Sequence, residues 1–237
     1  MSFYHILLSS AAKGRFPDNQ AAKFSIPIDD IQQLSGEWEV AIAQLAYSNC
    51  LYTFNREVMT IREKTSLTTK VLMPYIIRTV QDAVDYLNKV IDDERIRFTV
   101  TENILSVSVS GKDIILTMDD ILRDILGFDQ NTFKSGDTKA SAKISLSRRI
   151  NYFQIYSNIG VDVRVGDTEA PLLAMIPYNP KDCSILSERH FKKLHYINLK
   201  SNYIPQIDIS VYDDAGALVP FHKDAITSLT LHFRRKI

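Results

Sequence analysis

The sequence predicts an all-β protein: a single jelly-roll sandwich carrying a small inserted α/β subdomain. Three observations predict it. Apolar and polar residues alternate with a period of two over much of the chain, as in half-buried strands. Turn signals cut these runs into short segments, the pattern of a sandwich or barrel. Near Thr79 the period becomes helical, and residues 76–128 read as helix, three strands, helix.

The elements follow in order. Residues 4–9 form a first, weaker strand. In KFSIPI (23–28), Phe24, Ile26 and Ile28 face one way and Lys23, Ser25 and Pro27 the other. Pro27 has no N–H to give a ladder, so this strand lies at a sheet edge or ends there. In GEWEVAIAQLAY (36–47), Trp38, Val40 and Ile42 share one face. The other face runs Glu37, Glu39, Ala41, Ala43. Its turn from acidic to apolar predicts a strand whose second half is covered on both sides. Residues 58–63 and 69–73 are weaker strands, counted with the jelly roll.

From Thr79 the spacing of Val80, Ala83, Val84, Leu87, Val90 and Ile91 predicts a helix. Thr79 suits the N-cap, and Asp82 suits the positive helix end. Strands are expected at 96–100, 105–109 and 114–116. MDDILRDILGF (118–128) predicts a second helix, capped by Asp119 or Thr117 and stopped by Gly127, with Ile121, Leu122, Ile125 and Leu126 as its apolar stripe. Residues 129–147 are small and polar and read as a long loop. Weaker strands follow at 151–157, 161–165 and 172–177. In 207–212, Ile207, Ile209 and Val211 point inward before a turn at Asp213–Gly216. The last strand shows Thr227, Leu229, Leu231 and Phe233 on one face. Without the insertion eight or nine strands remain, as an eight-stranded jelly roll requires. The expected domains are 1–75 with 148–237 for the jelly roll, and 76–147 for the inserted subdomain and its polar loop.

Composition narrows the function. Of the 237 residues, 28 are Lys or Arg and 28 Asp or Glu, so the formal charge is zero. Proteins that live by neutralising phosphates are usually basic, which argues against nucleic acid as the main partner. Cys50 and Cys183 are far apart and without CxxC spacing, giving neither a disulfide framework nor a zinc cage and suiting a reducing compartment. The apolar run from Ile6 to Leu8 is too short for a signal peptide. No window is apolar enough to span a membrane. A protein made and used inside a cell is expected, or one leaving it by a route other than secretion.

Catalytic patterns are not found. His190 and His195 are five apart, which suits neither one helix face nor one strand face, so they do not form a metal pair. No GxSxG, P-loop, HExxH or GxGxxG occurs. The acid pairs Asp29-Asp30, Asp92-Asp93, Asp119-Asp120 and Asp213-Asp214 fall where turns or helix starts call for acids anyway. In GVDVRVGDTEAPLLAMIP (160–177), Asp167 and Glu169 have no base, nucleophile or metal ligand near them in sequence. Gly166 there suits a tight turn at a structural corner. Neither an enzyme nor a cofactor or metal site is expected. Three basic-aromatic stretches, SRRINYFQIY, HFKKLHYINLK and FRRKI, carry the cations and rings that single-strand binders use. Alternating aromatics in strands more often serve packing and subunit contact.

Three motifs in order resemble a known family. They are FPDN (16–19) followed by GEWEVAIAQLAY (36–47), then VGDTEAPLLAMIP (165–177), then IDISVYDDAGALVPF with ITSLTLHFRRK (207–236). Together they resemble the minor capsid, or penton, protein of Maverick/Polinton elements, also called adintoviruses, large DNA transposons of animal genomes that encode virus-like capsid genes. The resemblance implies a single jelly roll forming homopentamers at the five-fold vertices of an icosahedral shell. It implies a double jelly-roll major capsid protein as partner, location in the virion, and assembly inside the host cell. By analogy the inserted unit points outward. A closed ring of five needs two different complementary patches per copy. Interface cores favour aromatics, Met and Arg. On that composition the subunit contacts are expected at Arg148, Arg149, Tyr152 and Tyr156 on one side and at Phe191 and Tyr196 on the other. Two alternatives stand beside this one: a jelly-roll ligand- or glycan-binding module in a small oligomer, and a cupin-type enzyme, against which the scattered histidines argue.

Overall fold

The structure, a computed structural model, describes residues 1–28, 33–146, 150–179 and 186–236. In chain order, β1 (Ser2–Leu8), β2 (Lys23–Pro27) and β3 (Trp38–Ser48) come first. Next are β4 (Val58–Arg62), β5 (Leu67–Val71), α1 (Val80–Ile91), β6 (Ile96–Thr101), β7 (Ile104–Val109), β8 (Ile115–Met118), α2 (Asp120–Leu126), β9 (Thr132–Phe133) and β10 (Gly136–Lys139). The chain then forms β11 (Tyr152–Ser157), β12 (Val163–Val165), β13 (Thr168–Ala170), β14 (Leu172–Pro177), β15 (Leu186–His190), β16 (Ile197–Asn198), β17 (Gln206–Tyr212) and β18 (Thr227–Arg235). No helix among the described residues is long and apolar enough to cross a membrane.

Two compact units result, one from residues 1–51 with 150–237 and one from residues 52–149. The first is an eight-stranded jelly roll. One sheet runs β1-β18-β3-β15, with the short β16 also on β3, and the other runs β14-β11-β17-β2. All pairings within them are antiparallel. Along these eight strands the chain changes sheet at every connection except β11 to β14, which is the jelly-roll path. β2 is an edge strand, as Pro27 requires.

The inward rows of both sheets build one core. Phe24, Phe153, Phe233, Leu7 and Leu45 are all but fully enclosed. Tyr47 of β3 meets Phe153 of β11 edge-on at 5.1 Å, joining the two sheets by an aromatic contact. A bulge in β3 opposite Thr230 and Leu231 lets Ile42 and Leu45 both face this core. The second half of β3 is consequently not covered on both sides. Ala41 is buried, while Gln44 and Ala46 on the outer face are half-buried.

The second unit has its own core, centred on Phe54, Phe98, Phe133, Leu87 and Leu116. Its two sheets run β5-β4-β8-β9 and β10-β7-β6. Thr79 accepts from the Asp82 backbone at 3.1 Å while Asp82 accepts from the Thr79 N–H at 2.9 Å, closing a capping box on α1. Asn88 of α1 then bonds the backbone of Phe98 in β6 in both directions, at 2.8 and 2.9 Å, docking helix to strand. Asp119, not Thr117, caps α2. Its second oxygen accepts from the Val58 N–H at 2.5 Å and ties the helix start to β4.

Two further sequence expectations are corrected, and one strand escaped the sequence reading. The unit boundaries fall at 51/52 and 149/150, not at 75/76 and 147/148, because β4 pairs with β8 and not with any jelly-roll strand. Residues 129–147 are not one loop. β9 and β10 lie inside them, held to β8 and β7, and Phe133 is fully buried. The eighth jelly-roll strand is β15, whose sequence LSERH shows little alternation and which is held by its pairing with β3.

Candidate assembly surfaces and an outer-face hollow

β1 lies at the edge of its sheet, and its side chains divide cleanly. Leu7 and Phe3 turn toward the core, Phe3 stacking on Phe233 at 5.0 Å. Tyr4, Ile6 and Leu8 turn outward and are 64%, 65% and 42% exposed. Three successive outward positions on an edge strand are thus apolar, where a protein that stays alone usually places charge.

The row beside them is polar and locked. His232 sits opposite Tyr4, with the rings 4.4 Å apart. The Tyr196 hydroxyl and His232 Nδ1 share a hydrogen bond of 2.6 Å, its direction set by the tautomer of the imidazole. Burial, with the Arg234 guanidinium second, holds the His232 pKa below the ordinary imidazole value and favours the neutral ring. Arg234 lies 3.5 Å from the Tyr196 ring centre and is hydrogen-bonded to Glu39. A cation so engaged is poorly placed to meet phosphate, and Lys236 likewise pairs with Glu37 at 3.8 Å.

The outer face of the second sheet differs. Phe153 and Ile155 point inward, so Tyr152, Gln154 and Tyr156 point outward. Tyr152 and Met175, nearly half exposed, flank Gln154 on this face. Further along, Gln154 and Tyr156 of β11, Asn158 just beyond it, and Asp208, Ser210 and Tyr212 of β17 line a hollow of roughly 500 Å3. The Tyr156 hydroxyl donates to Gln154 Oε1 at 2.8 Å, and its ring meets Tyr212 edge-on at 5.6 Å. Burial raises the Tyr156 phenol pKa, so this group stays an O–H donor.

Of the residues expected at subunit contacts, Tyr152 and Tyr156 belong to the second sheet, and Phe191 and Tyr196 lie along the first. Arg148 and Arg149 lie outside the described residues, as do Cys183 and the pair Asp29-Asp30. Tyr152 and Tyr156 share the outer face of the second sheet. Tyr196 lies beside β18 of the first, held by His232 and Arg234. Phe191 is half-buried against the core, its N–H bonded to Ala43 O at 3.0 Å. The β1 row escaped sequence reading because Ile6, Leu7 and Leu8 are all apolar, so alternation there does not say which side is inside. The hollow escaped because its residues come from segments some fifty positions apart, as in the bond from the Asp208 N–H to Asn158 Oδ1.

Asp167 and Glu169 sit on a hairpin formed by β12 and β13, with Val165 opposite Thr168 and Gly166 at φ +62° supplying its tight turn. Among the described residues no three of His, Cys, Asp or Glu gather where they could hold a metal ion.

No protein-family model matches the chain, and the comparison with curated proteins finds no match. Among solved structures it is similar to the mavirus penton protein, at 12% identity and a TM-score of 0.48 over 99% of each chain. It also aligns with the D2-D3 domains of the Escherichia coli flagellar cap protein FliD, at 10% identity and a TM-score of 0.24 over 90% of this chain and 100% of that one. A longer D1-D2-D3 fragment of the same protein gives 10% identity and a TM-score of 0.25, over 90% of this chain and 55% of the other. The jelly-roll assignment stands on the strand order itself.

Proposed function

We propose that this chain is a structural subunit of an icosahedral, viral-type capsid: the penton, or minor capsid subunit, five copies of which close a ring at each five-fold vertex beside a double jelly-roll major capsid protein. The observation that carries the reading is the apolar outward row Tyr4, Ile6 and Leu8 on the edge strand β1. Exposed apolar edges of this kind mark surfaces that other chains cover. The jelly-roll strand order and the ordered motifs in the sequence agree with it. Tyr152 with Met175 is the proposed second patch, since a heterologous ring needs two different ones. The subunit works by packing, not by turnover, in a virion assembled inside the host cell.

Size exclusion with light scattering tests this. Five chains of 27.0 kDa give a ring of about 135 kDa. That mass is expected for the protein alone or co-expressed with the major capsid protein, and Ile6→Lys is expected to reduce it to the monomer. A stable trimer, or a chain that remains monomeric in both settings, would overturn the proposal.

A further inference from the structure

We propose that the hollow on the outer face of the second sheet is a binding site for a neutral saccharide. The inference does not rest on assembly, since a monomer presents the same hollow. Two tyrosine rings meet there at an interplanar angle of 80°, so their faces form a corner. The negative face of an aromatic ring suits the C–H bonds of a pyranose.

The polar groups around that corner are fixed in advance. Asn158 is held at both ends, Oδ1 accepting from the Asp208 N–H at 2.9 Å and Nδ2 donating to Gln206 O at 3.2 Å. Asp208 Oδ1 accepts from Gln206 Nε2 at 2.8 Å. Its other oxygen has no hydrogen bond within the described residues. Gln154 receives the Tyr156 hydroxyl on its carbonyl oxygen, leaving its amide N–H groups for a ligand. Ser210 and Tyr212 add hydroxyls that both donate and accept. A mixture of fixed acceptors, donors and hydroxyls matches a polyol, whose every hydroxyl does both.

Charge selects among ligands. The lining has one carboxylate and neither Lys nor Arg, so phosphate, sulfate and acidic sugars are disfavoured. One carboxylate is too few for a calcium site. The cluster of amide, carboxylate and hydroxyl groups disfavours a purely apolar ligand.

The test is saturation-transfer NMR on the full chain with the methyl glycosides of glucose, galactose, mannose and N-acetylglucosamine, and with 3′-sialyllactose as the acidic probe. At least one neutral glycoside is expected to bind. Tyr212→Ala and the isosteric Asp208→Asn should each weaken it at least fivefold. Tyr212→Phe, which keeps the ring, should weaken it less, and Leu67→Ser, at an exposed position in the 52–149 unit, should leave it unchanged. The proposal is overturned if no neutral glycoside binds, if sialyllactose is preferred, or if binding survives Tyr212→Ala and Asp208→Asn undiminished.

Discussion

Replacing Gly127 by alanine is expected to destabilise the 52–149 unit by about 2–5 kcal/mol, from two separable costs. Gly127 ends α2 at φ +82°, where an L side chain costs ~1–2 kcal/mol. A Cβ there would also lie 2.3 Å from the Ala142 carbonyl oxygen and 2.9 Å from its carbon. That obstacle is backbone and cannot rotate away. Moving it means lengthening the bonds that Ser141 and Ala142 donate to Gly127 O, both 3.1 Å. Each is worth ~0.5–1.5 kcal/mol. Gly166→Ala is the internal control. Its φ is +62° but nothing lies within 4 Å of its Cβ position, so only the backbone cost of ~1–2 kcal/mol applies. Urea unfolding followed by peptide-resolved hydrogen exchange assigns each loss to its own unit. Equal losses for the two substitutions would refute the argument that the Ala142 carbonyl crowds Gly127.

Two other perturbations follow from the jelly roll. His232 is held neutral, its folded pKa lying below the ordinary value of 6.5. The stability this contributes is complete above that value and is lost as pH falls from it toward the folded pKa; wild type should therefore weaken there relative to His232→Gln, and parallel stability curves from pH 7.5 to 5 would exclude the mechanism. Asp214 accepts from the Asn151 N–H at 2.7 Å, from Asn151 Nδ2 at 2.8 Å and from the Tyr152 N–H at 2.8 Å. Asp214→Ala should cost ~1–2 kcal/mol, since these bonds face water, with faster amide exchange at Tyr152; unchanged exchange there would show that the start of β11 is held by its neighbours in the sheet.

Much of the fold was legible because local patterns carry it. Phe24, Ile26 and Ile28 declared their face by period two, and Pro27 declared an edge. Thr79 and Asp82 declared the start of α1 because capping is chemistry between residues three apart. Gly127 declared the end of α2 for an equally local reason. Periodicity reports which side chains avoid water, but it does not name the strand that will pair. β4 and β5 therefore read as strands without revealing that β4 would pair with β8 and carry β5 with it into the second unit. β15 carries almost no apolar signal, and its backbone bonds to β3, some 140 positions away, make it a strand. The tertiary structure alone decided which side of β1 faces out, because either row of its side chains could have been buried. It alone also brought Tyr156 and Asn158 beside Asp208 and Tyr212, since the register between β11 and β17 is set by the whole sandwich core and not by either strand.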